Sequence, residues 1–178
     1  MASLRQDNLP EYGKFNHMKD RCYSPSKNES KPTYVGCTVD PRWKNDFSRF
    51  LTDYRGMHGY GLPNRHIDKD ILVKGNKVYG PDTCVLVPAE INAALNVRKR
   101  NRGNLPAGVH LRKGKYDASI GKYGKKVHLG RFENPYDAFL AYKEAKEIYL
   151  KELADKYKDE IDPRVYEALY NWVVAIND

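Results

Sequence analysis

GVHLRKGKYDASIGKYGKKVHLGRF, residues 108–132, is the stretch that decides the fold of the C-terminal part of this chain. Val109 to Lys113 reads as a strand, Gly114 as a turn and Tyr116 to Ile120 as a second strand. Gly121 to Gly124 make the next turn, and Lys126 to Phe132 a third strand. Alternation assigns the faces: Tyr116, Ala118 and Ile120 share one side of the middle strand, Lys115, Asp117 and Ser119 the other. Val127, Leu129 and Phe132 point to the apolar side, and Lys126 and His128 away from it. Outward from this sheet, Asn134-Pro135 starts a helix, Asn as N-cap and Pro at the first helical position. Its stripe of Ala138, Phe139, Tyr142, Ala145, Tyr149 and Leu153 covers the sheet. Glu147 with Lys151 and Glu152 with Lys156 are spaced for solvent-side pairs. Asp162-Pro163 repeats the start signal for a helix carrying Val165, Leu169, Trp172 and Ile176. The predicted fold here is α+β: a three-stranded antiparallel sheet packed on a helix, with a further C-terminal helix and one basic face open.

Positive charge concentrates on this part of the chain. From Arg98 to Arg131 there are eleven Lys or Arg against one acid, Asp117. Residues 98–107, RKRNRGNLPA, lack apolar periodicity and read as a basic linker able to follow a phosphate backbone. The chain thus divides into an N-terminal region at 11–97, the linker at 98–107 and a C-terminal domain at 108–177. The DNA-binding candidates are Arg98, Lys99, Arg100 and Arg102 in the linker, and Arg112, Lys113, Lys115, Lys122, Lys125, Lys126, His128 and Arg131 on the sheet. A narrow ribbon enters a major groove ~12 Å wide. Arg reads guanine edges with two hydrogen bonds, whereas Lys is mainly a point charge for phosphate. Arg112 and Arg131 are therefore the expected base readers, and the lysines position the protein. The competing view, a merely solvated face, predicts mixed signs, which eleven cations against one acid do not show.

The stretch GVHLRKGKYDASIGKYGKKVHLGRFENPYDAFLAYKEAKEIY resembles the plant apetala/ethylene-response-factor DNA-binding domain, in the form found inside bacteriophage homing endonucleases. GVH, the K-Y-x-A-x-I strand, L-G-x-F and the A-F-x-A-Y helix carry the resemblance, over about 50 residues. It implies a sheet face that contacts the major groove of duplex DNA.

Composition points to the same partner. Among 178 residues, Lys plus Arg number 31 and Asp plus Glu 23, a formal net charge of +8 that suits a polyanion. No apolar run approaches the ~18 residues a membrane span requires. MASLRQDNLPEYGKF has no apolar core behind its first basic residue, so no secretory signal is expected. Cys22, Cys37 and Cys84 are odd in number and widely spaced, which fits a reducing cytoplasm.

The N-terminal region is less regular. Asn16 to Tyr23 predicts a short helix with Phe15, Met18 and Cys22 on one side. Asp40-Pro41 begins another, whose Trp43, Phe47, Phe50 and Tyr54 form core. A Gly-rich loop at 56–64 precedes a strand over His66 to Leu72, with Lys77 to Tyr79 as a possible partner. Cys84 to Val87 leads into a helix over Pro88 to Val97. On a strand, His66, Asp68 and Asp70 share a face. One imidazole and two carboxylates suit Mg²⁺ or Mn²⁺: oxygen ligands hold the ion, and histidine activates water for attack on phosphorus. Asn76 and Asn92 are candidates to support ligands or the scissile phosphate. The plainer alternatives are a salt-bridged edge around Lys69 and an ordinary surface histidine.

MKDRCY, PTYVGC, RWKNDF and IDKDILVKGNKVYGPDTCVLVPAEIN, within residues 15–95, look like the N-terminal half of phage HNH-type endonucleases. The resemblance implies a ββα-metal fold in which Asp68 falls on the ligand Asp, Lys69 on the expected His, Thr83 near the middle Asn and Asn92 on the helix ligand. With Asp70 added from the strand face, the expected metal ligands are Asp68, Asp70 and Asn92. A protonated Lys69 cannot take a proton from water unless its pKa falls by several units. A structural zinc on Cys22, Cys37, Cys84 and His17 is not expected, for want of a C-x-x-C pair. Gly59-Tyr60-Gly61 lacks the strand and helix of a nucleotide site. Two functions follow: a metal-dependent DNA endonuclease of HNH type, or a DNA-binding protein with a degenerate nuclease half, acting in regulation or counter-defence. A host protein partner and the oligomeric state are not legible.

Overall fold

The computed structural model describes residues 3–96 and 103–178, so the linker candidates Arg98, Lys99, Arg100 and Arg102 lie outside the described residues. The chain is mixed α+β and separates into two compact units, one reaching Val87 and one starting at Pro88. Sequence suggests the division ten residues later. The earlier break arises because the helix after Pro88 bonds to the long helix that covers the sheet, as described below.

In the first unit, helices α1 (Leu4–Asp7), α2 (Leu9–Tyr23) and α3 (Pro25–Ser30) precede strand β1 (Thr38–Val39) and helices α4 (Pro41–Lys44) and α5 (Phe47–Arg55). Strands β2 (Arg65–Asp68), β3 (Val78–Tyr79) and β4 (Val85–Pro88) follow. β1 pairs with β3 in parallel, and β2 pairs with β4. Helix α2 starts seven residues before the predicted Asn16, with Pro10 in its first turn where a missing N–H is harmless. It buries Phe15, Met18 and Cys22 as expected. The single helix expected from Asp40 is two: the Asp46 carboxylate accepts the Arg49 N–H at 2.9 Å and caps a new start. Trp43, Phe47, Phe50 and Tyr54 are nevertheless all core, and Phe50 lies 5.2 Å from both Phe15 and Trp43, ring centre to ring centre.

The strand predicted over His66 to Leu72 ends at Asp68. Asp68 Oδ1 accepts the backbone N–H groups of Asp70 and Ile71, both at 2.9 Å, and turns the chain out of the strand. Asp70 therefore does not continue the face shared by His66 and Asp68.

In the second unit, α6 (Ala89–Leu95) is followed by β5 (Val109–Arg112), β6 (Lys115–Lys122) and β7 (Lys125–Phe132), then α7 (Pro135–Lys156) and α8 (Pro163–Tyr170). The sheet is antiparallel in the order β5-β6-β7. Both turns are two residues long, Lys113-Gly114 and Tyr123-Gly124, with positive φ at every position (51°, 76°, 52° and 73°). This is the type I′ pattern, whose twist matches the strands. Gly121, expected in the second turn, belongs to β6 instead.

Helix α7 covers one side of the sheet, burying Ala118 and Ile120 under Ala138, Phe139, Tyr142, Tyr149 and Leu153. The buried stripe also holds Lys146, whose Nζ donates to the Ala94 carbonyl at the end of α6. Glu90, at the other end of α6, accepts from Lys156 (2.6 Å) and Tyr157 (2.8 Å). These bonds tie α6 to α7.

The expected solvent-side pairs do not form, because tertiary partners claim the charges. Glu147 takes Lys143 and the Val174 N–H, Glu152 takes Lys122, and Lys151 lies over the Tyr170 ring. Helix α8 stops at Tyr170, so Val165 and Leu169 are core while Ile176 lies beyond the helix and is exposed. None of the helices among the described residues is long and apolar enough to cross a membrane.

Candidate nucleic-acid interface

Pairing register sets the open face of the sheet in rows. Arg112 lies opposite Lys115; His110 lies opposite Asp117, which lies opposite Arg131; Ser119 lies opposite His128; and Gly121 lies opposite Lys126. Cross-strand neighbours share a face, so these residues form one surface with rows ~7 Å apart. All of them but Lys115 and Gly121 line a shallow concavity of about 550 Å³.

One local irregularity determines which cations belong to it. Strict alternation from Lys126 and His128 carries Arg131 to the helix side. A bulge opposite Ala118 and Ser119 inserts Leu129 as an unpaired extra residue, with His128 opposite Ser119 and Gly130 opposite Ala118. The parity of β7 changes there, and Arg131 joins Lys126 and His128 on the open face. Val127 keeps its expected side opposite Ile120, though it stays exposed at the sheet margin.

The predicted cations sort into different environments. The Arg112 side chain is exposed and has no hydrogen-bond or ion-pair partner among the described residues. Lys126 and His128 are exposed on the same face, and Lys113 and Lys125 lie at the two turns. Lys115 pairs with Glu133 at 2.5 Å. Lys122 turns to the helix side, where it pairs with Glu152 and lies over the rings of Tyr123 and Tyr149. Its position in β6 shares the parity of Ala118 and Ile120, which explains its withdrawal from the open face.

Arg131 is gripped by Asp117: Nε meets Oδ1 at 2.6 Å and Nη2 meets Oδ2 at 3.0 Å. Arg131 holds the Asp117 carboxyl below its ordinary range, with His128 and Arg112 adding to the effect. Burial lowers the His110 pKa, and Lys126 lowers it further. Sequence reasoning names neither His110 nor Asp117 as part of the interface. The signal was present, since a two-residue turn at Lys113-Gly114 puts Arg112 opposite Lys115 and hence His110 opposite Asp117.

The candidate catalytic residues of the first unit are differently placed. Lys69 is buried, donating to Asp70 Oδ2 at 3.0 Å and to the Asn76 carbonyl at 2.7 Å, with Tyr79 beneath its ammonium. Burial and the neighbouring Asp70 carboxylate raise the pKa of Asp68. His66 is exposed at the surface, and partial desolvation of its ring lowers its pKa with help from Lys14 and Arg21. The Asn76 amide donates to the Lys69 and Val78 carbonyls at 2.6 and 2.8 Å, so it staples the 69–78 loop. Thr83 Oγ1 donates to the Val78 carbonyl at 2.8 Å. Asn92 lies on α6 and belongs to the second unit.

Among the described residues, no three His, Cys, Asp or Glu side chains gather around a point where one ion could sit. The two adjacent carboxylates, Asp68 and Asp70, do not fit a divalent cation as placed. Asp68 Oδ1 already takes two backbone N–H groups, and the Lys69 ammonium neutralises the charge that Asp70 would offer an ion. Cys22, Cys37 and Cys84 are free thiols in the core, and burial pushes Cys22 up to about 11 and Cys84 to about 12.

Compared with known proteins, the chain matches no family model, no curated protein and no solved structure.

Proposed function

We propose that this protein binds duplex DNA through the open face of the β5-β6-β7 sheet. The observation that carries the proposal is the row pattern of Arg112, Lys126, His128 and Arg131 on a surface whose reverse is sealed by α7. A face that α7 does not need for packing keeps its cations only at the cost of mutual repulsion, and a polyanion relieves that repulsion. Three strands at ~4.8 Å spacing span about 10 Å, which suits a groove about 12 Å wide. Arg112 and the turn lysines serve phosphates, where a flexible, unpaired cation suffices.

The test is fluorescence anisotropy with a labelled 20-base-pair duplex at increasing salt. With Arg112, Lys113, Lys125 and Lys126 on phosphates, four contacts give a log–log slope near −3.6. Affinity then falls by about two orders of magnitude between 50 and 200 mM salt. Absence of binding in dilute buffer, or binding indifferent to salt, overturns the proposal.

For the first unit, the Lys69–Asp70 contact favours a protein that holds DNA without cutting it, in a regulatory or counter-defence role. Metal-dependent phosphodiester hydrolysis is the second reading; its support is strand β2, which pairs with β4 and ends at Asp68. Plasmid nicking with Mg²⁺ or Mn²⁺ separates them. No nicks are expected with either ion; nicking by the wild type that Asp68→Ala abolishes would establish the endonuclease instead.

A further inference from the structure

Asp117 is the one acid in the 98–131 stretch, and β6 puts it in the middle row of a face otherwise lined by cations and neutral groups. On a surface serving phosphate alone, an acid there opposes binding. Its contacts suggest a different role. Asp117 is largely buried, with 11 % of its side chain exposed, whereas the Arg131 side chain is 42 % exposed. The carboxylate thus anchors in the sheet while the guanidinium reaches toward solvent.

A guanidinium has five N–H groups in a rigid fork. Asp117 occupies the edge formed by Nε and Nη2. On the terminal edge, Nη1 and Nη2 each keep one N–H that Asp117 does not use, and these two are parallel donors. Two parallel donors match the O6 and N7 acceptors of guanine in the major groove. An Arg without such an anchor must lose side-chain rotamer freedom when it binds a base, and Arg131 has already lost it.

We infer that Asp117 is a positioning residue that presets Arg131 to read one guanine, so that the Asp117–Arg131 pair, rather than Arg112, sets base specificity. This rests on the duplex-binding proposal above and names the base that the interface selects. Arg112 has no anchor among the described residues and answers to phosphate. Asp117 is thus an attractive element toward guanine and a repulsive one toward a plain backbone, the two components of a specific site.

The test starts by selecting duplexes from a random-sequence pool with the wild-type chain and with Asp117→Asn, Arg131→Lys and Arg112→Ala. Wild type should enrich a motif with one fixed guanine. Asp117→Asn and Arg131→Lys should both lose preference at that same position, with affinity for the selected site falling about tenfold or more. Affinity of Asp117→Asn for unselected duplex should rise, since a negative charge has left the face. Arg112→Ala should keep the guanine and weaken binding to all duplexes alike.

The opposite movement of selected and unselected affinity is the signature of positioning. A rise on both would make Asp117 a mere neutraliser, and a fall on both together with a lower Tm would make it structural; either overturns the inference while duplex binding stands. A wild type that binds duplex but enriches no guanine overturns it as well. A wild type that binds no duplex at all overturns both proposals.

Discussion

Gly108 begins the sheet in a left-handed conformation, φ 74°, with its backbone pressed on the ring of Tyr142. A Cβ at this position would lie 2.0 Å from Tyr142 Cδ2 and 2.2 Å from Cγ, where carbon atoms prefer about 3.5–4.0 Å. Tyr142 is 6 % exposed on the buried stripe of α7, so the ring has little room to retreat. Gly108→Ala therefore adds about 1–2 kcal/mol for a side chain in the left-handed region and about 1–3 kcal/mol for overpacking. The sum, about 2–5 kcal/mol, is a large part of the ~5–15 kcal/mol that holds a small domain together. The same residue accepts the Ser119 N–H at 2.9 Å and leads into β5, so its displacement also shifts His110 and Arg112. Hydrogen exchange read by mass spectrometry on peptides covering 115–122 reports the second unit separately from the first, and protection there should fall by that amount. Tyr142→Ala removes the obstacle, and in that background Gly108→Ala should cost only the backbone part. Loss of less than about 1 kcal/mol in the single variant, or an equal loss in both backgrounds, would refute the steric explanation.

Two further outcomes follow from the α6–α7 bonds. Burial brings the Lys146 pKa down to about 8, below its ordinary value of 10.5, so between those values the unfolded chain holds a proton the folded unit has released. Stability of the second unit should accordingly rise across that window by on the order of 3 kcal/mol. Lys146→Met should lack that rise, and parallel pH profiles from urea unfolding of the two chains would contradict it. Glu90→Gln weakens the bonds from Lys156 and Tyr157, so exchange protection of α6 should drop by about 1–2 kcal/mol with β6 unaffected. Equal losses in both elements would show that α6 is not a separately tied piece.

Much of the sheet is legible in the residue pattern alone. Tyr116, Ala118 and Ile120 alternate with polar residues, so only one face of the strand can be apolar. Gly114 and Gly124 sit where a two-residue turn needs positive φ, and Asn134-Pro135 marks a helix start. Core aromatics at 4-3-4 spacing from Trp43 to Tyr54 were equally plain, because burial follows helical period whether or not Asp46 interrupts the helix. The candidate catalytic face was not legible in the same way. His66, Asp68 and Asp70 share a face only while the strand lasts, and the Asp68 side chain ends it by bonding to the next two N–H groups.

Residue order alone carries the sign and the side: cations on a sheet face opposite an apolar one, because a period of two assigns faces and a shortage of acids assigns charge. Which cations face outward, and what each one holds, depends on packing in three dimensions. The bulge at Leu129 brings Arg131 onto the open face, Asp117 grips it, Glu152 draws Lys122 away, and Asp70 absorbs Lys69. These depend on one extra residue in a strand and on partners distant in the chain. Charge pairing is settled by proximity in space, and residue spacing along the chain does not encode it.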